Sequence, residues 1–222
     1  MQSFATPAPV SAVLDIPAAR IRVVAAERDT TTVEVLPADP AKSRDVKAAE
    51  QITVDYADGV LRVEAAAPQS RILGPSGSVQ VTVQLPAGSR LVAKTASGAL
   101  RSAGPLGDVA FEGQQATVEL DAAGSARLAL MAGDVTVGQL GGHAEISTQQ
   151  GDIRITAAAG GTVRLQTQAG DIEIGAAPGV SASLDAATGH GRTRNSLRND
   201  GGTAALDIHA TTAHGDITAR SL

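Results

Sequence analysis

A chain of 222 residues with 43% apolar side chains, 18% charged side chains and a formal net charge of −5 can build a folded core and is too apolar for wholesale disorder. It has no cysteine, which excludes a disulfide scaffold, thiolate zinc sites and a cysteine nucleophile. Phe4, Phe111 and Tyr56 are its only aromatic residues, its pI is near 5.3 and no run of basic residues occurs, so neither the stacking platforms nor the charge footprint of a nucleic-acid binder is present.

At the start of the chain no positive charge precedes Arg20, so no basic segment leads into an apolar stretch. Apolar runs such as Val23-Val24-Ala25-Ala26 fall far short of the roughly 20 residues that span a bilayer. No export signal or membrane segment is expected, and cytoplasmic residence is the default. Val10–Ile16, Ile21–Ala26 and Thr31–Leu36 read as strands. Asp39-Pro40 can cap a short helix over Ala41–Gln51. Ile52–Tyr56 and Val60–Glu64 flank Asp58-Gly59, a hairpin signal. Gln69–Ser78 reads as a loop and Val79–Leu85 as a strand. Residues 1–90 are therefore expected to form a β-rich cap with one short helix, continuous with residues 91–222.

From residue 91 onward one pattern repeats: strand, tight turn, strand. It is plainest in ISTQQGDIRI (Ile146–Ile155), LQTQAGDIEI (Leu165–Ile174) and ATTAHGDITA (Ala210–Ala219). LALMAGDVTV (Leu128–Val137), AATGHGRTRN (Ala186–Asn195), AKTASGALRS (Ala93–Ser102) and, with Ala116 in the glycine position, FEGQQATVEL (Phe111–Leu120) fit the same frame. The turn anchors fall at 98, 116, 133, 151, 170, 191 and 215. Positions seven and five before each anchor, and two and four after it, are mostly Ala, Val, Ile or Leu and alternate with polar residues, as strands with one buried face require.

The outward positions carry separate information. Arg127, Glu145, Arg164 and Asp185 alternate in sign six residues before successive anchors and are followed by His209. Arg154, Glu173 and Arg194 alternate three residues after. Opposite charges in one column suit parallel strands stacked in register about 4.8 Å apart. The expected fold is all-β: a parallel β-solenoid (β-helix) of about seven coils, right-handed by analogy with strand crossovers. Thr95, Thr148, Thr167, Thr188 and Thr212 share a column three before the anchor and predict a hydroxyl-lined bend.

Few residues qualify for chemistry. Asp134, Asp152, Asp171 and Asp216 follow anchor glycines and could bind calcium as an oxygen ladder; the plainer reading gives each to its own turn through backbone hydrogen bonds. His190 and His214 precede anchors and could ligate a metal or act as acid and base, though solvated turn histidines fit as well. His143 lies in a Gly-rich connection with no evident task. Gly74-Pro75-Ser76-Gly77-Ser78 lacks the strand–elbow–helix context of a nucleophilic serine, and Gly189-His190-Gly191 does not extend into a dinucleotide fingerprint. No catalytic, cofactor or metal residue is assigned.

The stretches LPAGSRL (Leu85–Leu91), QGDIRI (Gln150–Ile155), AGDIEI (Ala169–Ile174) and HGDIT (His214–Thr218), with AAEQITVDYADGVLRVEA (Ala48–Ala65), resemble the bacterial "putative adhesin" β-strand-repeat family, a domain of unknown function common in actinobacteria. The resemblance implies surface attachment and says little of the ligand. The expectation is a non-enzymatic binding, adhesion-like or scaffold module. It would meet a protein partner, or its own copies, through a charged strand face or a solenoid end. That end is taken to be the coil Ala204–Ala219, last in the sequence. The alternative is a polysaccharide-acting or polysaccharide-binding β-helix, which would need paired carboxylates in a groove.

Overall fold

In the computed structural model, which describes residues 1–66 and 77–222, the two-residue alternation becomes strand after strand. Strands β1 (Gln2–Ala5), β2 (Ser11–Asp15), β3 (Ala18–Ala26) and β4 (Thr30–Pro37) precede helix α1 (Ser43–Glu50). Then come β5 (Ile52–Ala57), β6 (Val60–Ala65), β7 (Val79–Pro86), β8 (Arg90–Ala103) and β9 (Pro105–Ala132). The rest are β10 (Val135–Leu140), β11 (Ala144–Gln150), β12 (Ile153–Ala158), β13 (Gly161–Ala169) and β14 (Ile172–Ala176). They end with β15 (Ala182–His190), β16 (Thr193–Ser196), β17 (Leu206–His214) and β18 (Ile217–Ser221). The loop expected over Gln69–Ser78 lies outside the described residues except at Gly77 and Ser78.

The strands join one long, mostly parallel sheet. From anchor 133 onward, pairs of strands meeting at an anchor form rungs, while β8 and β9 run unbroken through anchors 98 and 116; the columns read from the sequence are the pairing registers. Glu145 stands opposite Arg127 and Arg164, and Ile153 opposite Val135 and Ile172. The inward columns form one continuous core in which Leu100, Val118, Ile153, Ile174 and Ile217 are fully buried. Phe111, opposite Ala93, has room because Gly113 stands where most other rungs carry threonine: a Cβ there would lie 2.7 Å from the ring.

Rung order differs from chain order at both ends of the stack. The expected uncovered final coil is instead an inner rung: β17 pairs with β13 on one side and β15 on the other, and β18 lies between β14 and β16. The terminal rung is β15–β16. Its inward columns hold Thr193 and Asn195, both exposed, where the rungs behind it carry Ile217 and Ala219, both buried. The loop after it folds back on its rung: Ala182 N–H donates to the Arg198 carbonyl (3.0 Å) and Arg198 N–H to Ser221 Oγ (2.9 Å). At the other end, β2 and β3 pair in parallel with β8 on one side and with β6 and β7 on the other. The pairing frame thus extends into residues 11–26, which sequence reading placed outside it. Their bend, at Pro17-Ala18-Ala19, has no glycine–aspartate signature.

The hairpin forms as expected, with Asp58 (φ 51°) and Gly59 (φ 77°) in the left-handed turn between antiparallel β5 and β6. The helix starts later than Asp39-Pro40 suggests. Asp39 instead holds the preceding turn, accepting from Ala41 N–H (3.0 Å) and pairing with Lys42 (3.1 Å). The Lys42 ammonium and then the Ala41 N–H hold its carboxyl below the usual carboxylate range. Buried Asp45 ties the helix to the sheet by accepting from Ser78 N–H (3.0 Å).

Candidate functional site

The glycine–aspartate bends stack into a spine built from three repeated contacts. Consecutive anchors approach so closely that a Cβ on Gly151 would lie 2.2 Å from the Gly133 carbonyl oxygen, and one on Gly170 2.0 Å from that of Gly151. That same carbonyl accepts a hydroxyl from the next rung: Thr167 Oγ1 donates to Gly151 O (3.1 Å) and Thr212 Oγ1 to Gly170 O (3.1 Å). Threonine here is buried, and the predicted hydroxyl-lined bend is a set of rung-to-rung clamps.

The aspartates provide the third contact. Asp152 N–H donates to Asp134 Oδ1 (2.9 Å), Asp171 N–H to Asp152 Oδ1 (2.8 Å), Asp216 N–H to Asp171 Oδ1 (2.7 Å) and Arg192 N–H to Asp216 Oδ1 (2.9 Å). Each carboxylate therefore serves the next rung, and not its own turn as the sequence suggested. Among the described residues no three His, Asp or Glu side chains are grouped as a metal site. With one oxygen of each carboxylate already accepting a backbone N–H, we propose that the ladder is structural. Asp152→Ala is expected to lower stability by about 1 kcal/mol, water replacing part of the lost bond, and Asp152→Asn by less than about half of that. Millimolar calcium is expected to move the thermal midpoint by less than about 1 °C; a larger rise in a calcium titration overturns the structural reading.

His190 and His214 meet in register, their rings stacked 4.8 Å apart and 5° from parallel. No third ligand joins them among the described residues. His143 has a structural task that the sequence did not reveal: its Nδ1 accepts the Thr162 N–H (3.0 Å) one rung on. The serine reading at Gly74–Ser78 lies outside the described residues except at Gly77 and Ser78.

Two outward faces carry the charge. On one, Arg127 pairs with Glu145 (3.4 Å) and His209 with Asp185 (3.5 Å). His209, not Asp185, is the rung neighbour of Arg164, because β17 intervenes. On the other, Arg154 pairs with Glu173 (2.9 Å), which also receives Arg220 (3.2 Å). Arg194 reaches Asp216 (3.7 Å), since Thr218 separates it from Glu173. At the far end of that second face lies a groove of about 860 Å³ between β3, β8, β9 and β10, lined among others by Arg20, Arg22, Gln80, Arg101, Glu119 and Asp121. Sequence reading passed over Arg20 and Arg22. Their signal was alternation with the inward Ile21 and Val23, and their meaning depends on β3 lying against β8. No helix of the described residues is long and apolar enough to cross a membrane.

A family model described as Toastrack DUF4097 matches residues 12–221. Two solved structures share the fold. A putative adhesin from Bacteroides fragilis has a TM-score of 0.61 at 14% identity, over 100% of this chain and 95% of that one. A putative adhesin from Parabacteroides distasonis has a TM-score of 0.53 at 13% identity, over 98% of this chain and 95% of that one. No curated protein matches the sequence.

Proposed function

The chain belongs to the Toastrack DUF4097 family, and from that premise we propose that it is a non-enzymatic binding module of the adhesion type, meeting its partner on an outward strand face. The observation that carries this is the fixed register of the outward charges. Parallel pairing holds Arg154 and Glu173, or Arg127 and Glu145, on a rigid lattice of rungs, so the pattern of charge is set before any partner arrives. The adhesin naming of the two structural neighbours agrees with such a role.

The test is to present panels of polysaccharides and unstructured peptides, reading binding by interferometry and turnover by new reducing ends or new amino groups. Retention without turnover is the expected result; cleavage of any panel member overturns the reading. The lateral face is preferred to a solenoid end because β16, with Thr193 and Asn195 in its inward columns, gives its half of the terminal rung no apolar side chain, and Leu184 and Ala186 on β15 are already partly buried. Light scattering across a dilution series is therefore expected to give a constant mass at physiological salt. A mass that grows with concentration would return the partner to the end of the stack.

A further inference from the structure

Arg22 on β3 stands directly opposite Arg101 on β8, and Arg20 projects two positions away on the same face. Like charges facing each other across a strand pair disfavour the fold by several tenths of a kcal/mol. Elsewhere on the outward faces Arg127, Arg154, Arg194 and Arg220 each have a carboxylate, and Arg62 and Arg164, without an ion pair among the described residues, stand in register with an acid, Asp55 and Glu145. Here only Arg101 does, through Glu119 at 3.0 Å. Among the described residues Arg20 and Arg22 have no ion pair, and residues 67–76 contain no acid that could supply one. Two unneutralised guanidiniums beside a third, in a chain of net charge −5, form a cationic spot against the average.

These arginines line the groove described above, whose lining includes the small residues Ala99, Ala103 and Gly138. Two further facts narrow the occupant. The backbone groups of β3 and β8 face neighbours on both sides within the sheet, so no free edge is offered to an added peptide strand. The lining also includes the acids Glu119 and Asp121; Asp121 Oδ2 accepts Gly104 N–H (2.9 Å), which leaves its carboxylate with spare acceptor capacity. A uniform polyanion would meet repulsion at these acids. A chain carrying both oxyanions and hydroxyl groups satisfies both kinds of group: oxyanions on the guanidiniums, hydroxyl donors on the carboxylates. We propose that this groove binds a linear acidic polysaccharide bearing carboxylate or sulfate groups. The assignment rests on the binding-module reading and names the ligand class for one of its faces. With no aromatic side chain in the groove, affinity comes from charge and hydrogen bonds and falls as salt rises.

The experiment is calorimetric titration of the full chain with polygalacturonate, a lightly sulfated dextran that keeps most of its hydroxyls, neutral dextran and single-stranded DNA, at low and physiological salt. The two acidic glycans separate carboxylate from sulfate recognition. Three proteins are compared: wild type, Arg20→Ala/Arg22→Ala, and Arg127→Ala/Arg164→Ala, which removes the same charge from the other face. The expected result is binding of at least one acidic glycan by wild type, weakened about tenfold or more in Arg20→Ala/Arg22→Ala and less than about twofold in the control. Because Arg22 faces Arg101 and neither Arg20 nor Arg22 holds an ion pair among the described residues, Arg20→Ala/Arg22→Ala is expected to melt no lower than wild type. If it fails to fold, Arg22→Gln alone is read in its place. Equal loss in both double variants, an unchanged Arg20→Ala/Arg22→Ala, DNA bound as tightly as the glycan, or no acidic glycan bound at all would each overturn the proposal. The binding-module reading would survive any of these if another panel member were retained, and only cleavage would remove it.

Discussion

Gly170→Ala is expected to destabilise the fold by about 4 kcal/mol or more and to lower the thermal midpoint by about 10–15 °C. The new Cβ would lie 2.0 Å from the Gly151 carbonyl oxygen and 2.5 Å from its carbon, on a backbone at φ +151° that suits glycine. Neither partner is a flexible side-chain tip. The rungs would have to part, and that separation would stretch the Thr167 hydroxyl bond to the same carbonyl and the Asp171 N–H bond to Asp152 (2.8 Å). Gly202→Ala is the control: a Cβ there meets nothing within 4 Å, and its effect should stay within about 0.5 kcal/mol. Urea unfolding of both variants checks the pair. A small effect at Gly170 would mean that the spine has more slack than its packing allows.

Ile217→Ala should cost about 3 kcal/mol, or about 6–12 °C in midpoint, while Thr193→Ala should stay within about 0.5 kcal/mol. The two residues occupy the same column on adjacent rungs and pair directly. Ile217 is fully buried between Ile172 and Thr193, whereas Thr193 is exposed on the terminal rung. A solenoid wound strictly in chain order predicts the reverse ranking, since Ile217 would then sit on the outer coil. The comparison therefore tests rung order directly. Equal effects at the two sites would contradict the intercalation of β17 and β18.

The sequence and the fold agree closely in one dimension and part in another. Which residues face inward was legible, because inward and outward positions differ in chemistry along every strand; Ile153, Ile172 and Leu165 are buried where the columns place them. Which rung follows which was not, because every rung presents nearly the same inward pattern and one apolar column accepts any other. The alternating signs of Arg164 and Asp185 pointed to sequential stacking, and His209 separates them. The informative residues were Thr193 and Asn195, together on one rung in columns where Ser102 is the one other polar residue, which mark an end of the stack. Residues 11–26 escaped the frame for a related reason: Ala19 stands in the anchor column opposite Gly98, so the bend lacks the glycine that identifies the others. The candidate binding face followed from that miss, since Arg20 and Arg22 are ordinary surface cations until β3 is placed beside β8.

The out-of-order rungs have a mechanical meaning. A tension applied through residues 10 and 222 would load β2–β3 and β17–β18, and each of these is held by two parallel ladders. Neither could be peeled away singly: β17–β18 must slide against β13–β14 and β15–β16 together, with many hydrogen bonds sharing the load. A stack wound in chain order would offer a pulling force one ladder at each extremity. The rearrangement gives β2–β3 and β17–β18 two ladders each where chain order would give one, and resistance to rupture under force depends on such barriers to unfolding, not on equilibrium stability.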